Sequence, residues 1–96
     1  MTAGLLILYT RKGCCLCEGL EQRLKSISLK SLEVPLTLKV IDIDSGLLSE
    51  DLRRNFDLRV PVMALFLKEQ NRVIELPRVS PRIKERELFK WIQKTI

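Results

Sequence analysis

The residues best suited to chemistry are three cysteines within four consecutive positions, Cys14, Cys15 and Cys17. Cys14 and Cys17 have the Cys-x-x-Cys spacing, in which two thiols can close a disulfide and exchange it with the thiols or disulfides of other molecules. This spacing, at the junction of a strand and a helix in a reducing compartment, indicates redox chemistry. Cys15 taken alone is more typical of an inert, small apolar side chain.

Metal binding is the second chemistry that these residues allow. Three neighbouring thiolates, Cys14, Cys15 and Cys17, suit a soft ion such as Cu(I), part of a zinc site or an iron–sulfur cluster. The chain contains no His and no second group of cysteines. A four-coordinate site would therefore need a carboxylate, a small thiol or another subunit, and the pattern favours a redox pair without a metal.

A strand and a helix are expected to position the thiols. Residues 5–10 form an apolar run typical of a buried strand. Beyond Cys15, apolar residues recur at helical spacing: Leu16, Leu20, Leu24 and Ile27. The unpaired N–H groups at the start of a helix favour an anion, so we predict that the pKa of the Cys14 thiol falls from about 8.5 toward the range of about 3.5 to 7.5.

The position of each thiol on this helix predicts its role. Cys14 lies at the helix start, where Arg11 and Lys12 add positive potential, and is the predicted nucleophile. Cys17 lies one turn further into the helix, where it should be more covered and less ionised. It is therefore the predicted resolving thiol, which attacks a mixed disulfide from within the protein.

The rest of the chain alternates between extended and helical patterns. Strands are predicted at residues 36–43, 62–67 and 73–76. A short helix should follow the N-capping Asp44 and Ser45, and a closing helix should open at Ser80 and Pro81. A helical crossover makes the first two strands parallel, and the last two form a hairpin. The prediction is an α/β fold in one domain, residues 1–96, with a four-stranded mixed sheet flanked by three helices.

Length, charge and composition exclude several classes of protein. The 96 residues suit one domain, and the net charge of +5 comes without a dense basic stripe or aromatic platforms, so nucleic-acid binding is not expected. No apolar stretch approaches the roughly 20 residues of a membrane span. Residues 1–8 lack the features of an export signal. Three cysteines do not make a disulfide scaffold, which favours the cytoplasm.

Two stretches of the sequence resemble the glutaredoxin branch of the thioredoxin-like superfamily. Residues 9–18, YTRKGCCLCE, look like the opening of a small glutaredoxin-like family in which Leu precedes the second cysteine. Residues 42–44, DID, followed by residues 58–62, LRVPV, are similar to the middle of that family. The resemblance implies a thioredoxin-like, glutaredoxin-like fold and a thiol–disulfide oxidoreductase.

The resemblance also implies a substrate site. Val60–Pro61 would be a cis peptide bond facing the cysteines, with Val60 backbone groups free to pair with an extended thiol peptide such as glutathione. Arg11 stands where glutaredoxins often carry a Lys that helps to bind a glutathione carboxylate, and Lys12 lies beside it. The expected partners are glutathione or a protein disulfide, with no tightly bound cofactor, no membrane and no nucleic acid, on a monomer.

Two departures from the glutaredoxin pattern bear on this substrate. Residues 76–80, LPRVS, replace the Gly-Gly-Asp-like turn that binds the glutamyl end of glutathione, and Cys15 and Leu16 replace the common Pro-Tyr between the cysteines. A thioredoxin-fold adaptor, which binds a partner peptide without turnover, is therefore a third alternative beside the oxidoreductase and the metal-binding module.

Overall fold

One mixed four-stranded sheet organises the computed structural model, which describes residues 3–96. Its strands are β1 (Gly4–Thr10), β2 (Leu36–Asp42), β3 (Val62–Leu67) and β4 (Arg72–Glu75). Its helices are α1 (Cys15–Ser26), α2 (Glu50–Phe56) and α3 (Glu85–Thr95), and one short 3-10 turn spans Leu29–Ser31. The predicted architecture is confirmed; residues 1 and 2 of the predicted domain lie outside the described part of the chain.

The order of the strands brings three chain segments together at the end of β1. The order is β2-β1-β3-β4, with β1 parallel to β2 and antiparallel to β3. Tyr9, near the end of β1, is paired with Ile41 on one side and with Val62, the first residue of β3, on the other. The loop that follows β1 therefore lies beside the residues that precede β3.

Both faces of the sheet are covered, which explains why β1 is a continuous apolar run. On one face, fully buried Leu6 and Leu8 belong to a cluster with side chains of α1 and α3: Leu20, Leu24, Leu88 and Ile92. On the other face, Ile7 and Tyr9 belong to a cluster with Ile43 and with Phe56 of α2. The strand that leads into the cysteine loop, β1, is therefore packed on both faces.

The short helix α2 begins later than the sequence predicts. Its N-cap is Ser49, whose Oγ accepts a hydrogen bond from the N–H of Leu52 at 3.3 Å. Asp44 and Ser45, the predicted caps, lie in the preceding loop, and Leu47 is 73% exposed. The prediction was wrong because the Asp44 carboxylate is engaged by two arginine side chains from other parts of the chain.

The closing helix α3 also begins later, at Glu85, with Lys84 as its N-cap residue. Ser80 and Pro81 form a turn instead, closed by the N–H of Ile83 on the carbonyl of Ser80 at 3.1 Å. The carbonyl of Pro81 accepts a hydrogen bond from the guanidinium of Arg23 in α1. The predicted start was therefore wrong, because residues 80–83 form a separate turn that this contact ties to α1.

Within residues 3–96, no helix combines the length and the apolar character needed to cross a membrane. The longest of the described helices, α1, has 12 residues.

The buried position of Leu8 predicts a large effect on stability. Leu8→Ala should lower the free energy of unfolding by about 2 to 5 kcal/mol, because it opens a cavity among packed side chains. The control is Leu58→Ala, since Leu58 is 94% exposed, and its effect should stay within about 0.5 kcal/mol. Urea unfolding followed by the fluorescence of Trp91 measures both. Equal losses in the two variants would contradict this account of the core.

Candidate dithiol site

The turn between β1 and α1 presents Cys14 at the start of the helix. Gly13 has a φ of 79°, a left-handed conformation that favours glycine, and the N–H of Cys14 donates to the carbonyl of Arg11 at 3.3 Å. Cys14 is the N-cap residue of α1, and its Sγ accepts a hydrogen bond from the N–H of Cys17 at 3.1 Å. A sulfur atom therefore takes the place of the oxygen that usually caps a helix.

Cys14 and Cys17 lie at disulfide-bonding distance, with their Cα atoms 5.2 Å apart. The two residues differ in burial: Cys14 is half-buried, whereas Cys17 is 1% exposed. Cys15 is a free and exposed cysteine. An incoming molecule can therefore reach Cys14 more readily than Cys17.

The start of α1 suits a negatively charged sulfur. The N–H of Cys17 donates to the Cys14 sulfur, which lies at the positive end of the helix dipole. A hydrogen bond to a charged acceptor is stronger than one to a neutral acceptor. The arrangement can therefore hold Cys14 as a thiolate, the form of cysteine that attacks disulfides.

The three-thiolate cluster considered from the sequence is not assembled in this form of the protein. Cys14 and Cys17 are paired with each other, and Cys15 is exposed. Across the described residues 3–96, no group of three or more His, Cys, Asp or Glu side chains is arranged to hold a metal ion. The Cys14–Cys17 pair at disulfide distance supports a thiol–disulfide redox role.

The peptide bond between Val60 and Pro61 is cis. Pro61 is buried and Val60 is half-buried. The pairing of Tyr9 with Val62 places this bond beside the end of β1, and Pro61 lines a small cavity together with Leu20 of α1. The N–H of Val60 donates to the carbonyl of Phe56 at 3.2 Å, so this group already has a partner within the protein.

Lys12 and Arg11 have different surroundings. Lys12 is exposed and lines a cleft that Cys17 and Glu18 also border. Arg11 is half-buried, and its guanidinium donates to the carboxylates of Asp44 and Asp57 and to the carbonyl of Asp57. The two basic residues predicted to bind substrate thus differ in how freely they face the solvent.

These ion pairs perturb the groups that form them. Hydrogen bonds from Arg11, and then from Arg53, hold the pKa of Asp44 below its ordinary value. Hydrogen bonds to Asp44 and Asp57 hold the pKa of Arg11 above its ordinary range. Arg11 is charged at neutral pH, where both of its carboxylate partners are ionised.

Residues 76–80, which stand in place of a Gly-Gly-Asp-like turn, contact the segment that precedes Pro61. Leu76 is buried, and the guanidinium of Arg78 donates to the carbonyl of Arg59 at 2.6 Å. Arg59 in turn forms an ion pair with Glu75 of β4. The stretch thus supports the segment that leads to the Val60–Pro61 bond.

Sequence reasoning missed the acidic partners of Arg11. Asp44 and Asp57 lie 33 and 46 residues from Arg11 along the chain, so no spacing rule connects them. Asp44 had instead a local interpretation as a helix cap. Only the crossover that brings the end of β2 beside the end of β1 places these charges together.

The ion pairs of Asp44 predict how stability depends on pH. A carboxyl whose pKa is lowered by folding stabilises the protein fully above its unfolded pKa, and this contribution is lost as the pH falls through the folded pKa. Asp44→Asn should therefore melt below the parent at neutral pH, and the gap should narrow below about pH 4. Thermal melting of both proteins over this range measures the gap; a gap independent of pH would contradict the assignment.

Comparisons with known proteins agree with this geometry. The family model described as Glutaredoxin-like domain (DUF836) matches residues 5–93. A comparison with curated proteins gives no match. Two solved structures are similar in fold, each with a TM-score of 0.63.

The first of these structures is that of a malarial protein, which is 19% identical in sequence, and the alignment covers 99% of both chains. The second is the first thioredoxin domain of mouse protein disulfide-isomerase A4, which is 16% identical; the alignment covers 96% of this chain and 62% of that one. At such identities the likeness shows the fold, whereas the family model shows the family. The chain belongs to the glutaredoxin-like family and has a thioredoxin-like fold.

Proposed function

We propose that this protein is a thiol–disulfide oxidoreductase in which Cys14 is the nucleophile and Cys17 is the resolving thiol. The observation that supports this most directly is the Cys14–Cys17 pair at the start of α1, with the half-buried sulfur capping the helix and the other buried beneath it. An accessible sulfur in a site that favours an anion is suited to attack. A covered sulfur within bonding distance is suited to release the product.

The reaction has two exchange steps. The Cys14 thiolate attacks one sulfur of a substrate disulfide, which forms a mixed disulfide and releases the other substrate sulfur as a thiolate that takes up a proton. Cys17 then loses its proton and attacks the Cys14 sulfur, which closes the Cys14–Cys17 disulfide and releases the second substrate thiol. The substrate gains two electrons and the protein loses two.

An external thiol completes the cycle. Two molecules of a thiol such as glutathione, or one dithiol protein, return the two electrons and regenerate the reduced pair. A reducing thiol pool of this kind is typical of the cytoplasm, which is the compartment we propose for the protein. We expect it to act there as a monomer, without a tightly bound cofactor.

The substrate disulfide is proposed to lie across Lys12, Val60 and Pro61. An extended thiol peptide beside the cis bond can pair with the backbone of Val60 in the manner of an added strand. The N–H of Val60 is bonded to the carbonyl of Phe56, so pairing through that N–H requires the internal bond to be exchanged. Lys12 offers an exposed positive charge for a substrate carboxylate.

The role of Cys14 predicts how the reduced protein is alkylated. The rate of alkylation should rise with pH through a midpoint below about 7.5, because the helix start stabilises the thiolate. Cys14→Ser should remove this fast phase, and Cys15→Ser is the matched control that should retain it. Iodoacetamide labelling followed by mass spectrometry measures the rate at each site. A midpoint near 8.5 that Cys14→Ser leaves unchanged would contradict the proposal.

The division of roles predicts a trapped intermediate. In a Cys15→Ser background, which removes the exposed free thiol, Cys17→Ser should accumulate a mixed disulfide on Cys14 when mixed with a small disulfide, because the resolving thiol is missing. Cys14→Ser in the same background lacks the attacking thiol and should not accumulate it. The mass of the intact protein after acid quenching measures this.

Near-stoichiometric metal on anaerobically purified parent, lost in Cys14→Ser, would favour a metal-binding module instead. Partner binding unchanged in Cys14→Ser, without any exchange, would indicate an adaptor.

A further inference from the structure

The guanidinium of Arg11 is the centre of a charged cluster beside the dithiol. Its Nε donates to Asp44 at 2.9 Å and one terminal nitrogen donates to the same carboxylate at 3.3 Å. That nitrogen also donates to the carboxylate of Asp57, and the other terminal nitrogen donates to the carbonyl of Asp57 at 3.1 Å. All three guanidinium nitrogens are therefore engaged within the protein. We call Arg11, Asp44 and Asp57 the arginine clasp.

The clasp joins the two segments from which the proposed site is built. On one side, the carbonyl of Arg11 accepts the N–H of Cys14, so Arg11 is part of the loop that holds the nucleophile. On the other side, Asp57 is the C-cap residue of α2 and lies three positions before Val60. The N–H of Val60 bonds to the carbonyl of Phe56, the neighbour of Asp57. The contacts between Arg11 and Asp57 therefore link the loop of Cys14 to the segment of Val60.

The contacts of the clasp suit a guanidinium specifically. A planar group with several N–H donors can bind one carboxylate through two atoms and still reach a second. Its contact with the carbonyl of Asp57 also satisfies an end of α2, where a positive charge is favourable. An ammonium group is a single point charge and cannot make all four contacts at once.

The charge of Arg11 is balanced by the same contacts. Two carboxylates surround one guanidinium, and Arg53 shares Asp44 with it at 2.9 Å. A substrate carboxylate would have to displace one of these internal partners. Lys12, which is exposed, is the better candidate for such a contact.

We propose that Arg11 is a positioning residue, which sets the Cys14 loop in place relative to the Val60–Pro61 segment through Asp44 and Asp57, instead of binding a substrate carboxylate. This inference rests on the proposed function. Attack on a disulfide needs the entering sulfur aligned with the bond that breaks, and the substrate is held by one segment while the nucleophile is held by the other. A misplacement of about 1 Å is enough to cost roughly 100-fold in rate.

The clasp is expected to matter more for rate than for stability. The side chains of Arg11, Asp44 and Asp57 are 29%, 39% and 43% exposed, so water screens their attraction. Loss of the clasp should therefore leave a folded protein whose two site segments are less well aligned. This combination separates a positioning role from a general structural one.

The experiment measures single-turnover oxidation of the reduced protein by two disulfides. One is bis(2-hydroxyethyl) disulfide, which has no charged group, and the other is glutathione disulfide, which has carboxylates. Arg11→Gln should slow oxidation by both disulfides roughly 10- to 100-fold. Asp57→Asn should slow both in the same direction. Protein thiols that remain after acid quenching, counted by mass, give the rates.

Three further variants make the test specific. Arg11→Lys keeps the charge and should recover only part of the rate, because it cannot make all four contacts. Arg11→Gln combined with Asp57→Asn should be little worse than the slower single variant, because both remove one interaction. Arg54→Gln is the control: Arg54 lies on α2, is 72% exposed and pairs with Glu50 only. It should react like the parent, and thermal melting should show every variant folded.

Other outcomes would overturn the proposal. One such outcome is that Arg11→Gln slows only the reaction with glutathione disulfide, while Asp57→Asn speeds that reaction. Arg11 would then be a substrate-binding residue, and Asp57→Asn would free it from an internal partner. If the effects of the two substitutions multiplied in the double variant, Arg11 and Asp57 would act independently. Full recovery in Arg11→Lys would show that charge alone is needed.

Amide hydrogen exchange separates this inference from the proposed function. Arg11→Gln and Asp57→Asn should both speed exchange at residues 12–17, whereas Arg54→Gln should not. Faster exchange in the two variants, with a parent that neither disulfide oxidises, would support the clasp while contradicting the oxidoreductase. Unchanged exchange in both variants, with an active parent, would contradict the clasp alone.

Discussion

The chemistry proposed for this protein depends on the hydrogen bond between the Cys17 N–H and the Cys14 sulfur. This bond caps α1, places the sulfur against the positive end of the helix dipole and sets the two cysteines within bonding distance. It also explains the difference between the two thiols, because the residue that caps a helix lies outside its first turn while the residue three positions later lies inside it. Cys17, on the covered side of α1, is consequently buried.

The sheet places other chain segments beside the dithiol, which the start of a helix by itself does not do. A dithiol at the end of a free helix would have no surface beside it to hold a substrate. Here β1 lies between β2 and β3, so the loop after β1 has the end of β2 on one side and the Val60–Pro61 segment on the other. The apolar layers on both faces of β1 make this edge rigid. The site is therefore assembled from three segments that are distant along the chain.

The arginine clasp and the contact between Arg78 and Arg59 show that the surroundings of this Cys-x-x-Cys motif differ from the glutaredoxin pattern. The resemblance implied a basic residue that helps to bind glutathione, whereas residues 76–80 already depart from the family's Gly-Gly-Asp-like turn. In the structure, Arg11 contacts two carboxylates, and Arg78 donates to the carbonyl of Arg59. Both basic side chains thus bind groups of the protein itself, and only Lys12 among the predicted substrate residues has an exposed charge.

Much of the fold followed from local patterns in the sequence. The apolar run before the cysteines, the helical spacing of Leu20 and Leu24 after them, and the order of later strands were enough to predict the mixed sheet and its three helices. These features are determined by the sequence because burial imposes a period on each strand and helix. The Cys14–Cys17 pair was likewise visible, since its spacing is local and its position at a helix start sets its chemistry.

The tertiary structure decided the features that depend on distant partners. Asp44 has the local pattern of a helix cap, but its carboxylate accepts hydrogen bonds from Arg11. Ser80 has the local pattern of a helix start, but it lies in a turn, and the carbonyl of the next residue, Pro81, accepts a hydrogen bond from Arg23. A side chain with several possible hydrogen bonds takes the one that the fold brings within reach, and local sequence does not reveal which that is. The two carboxylates around Arg11 were hidden for this reason: their attraction acts through space, between residues that only the sheet brings together.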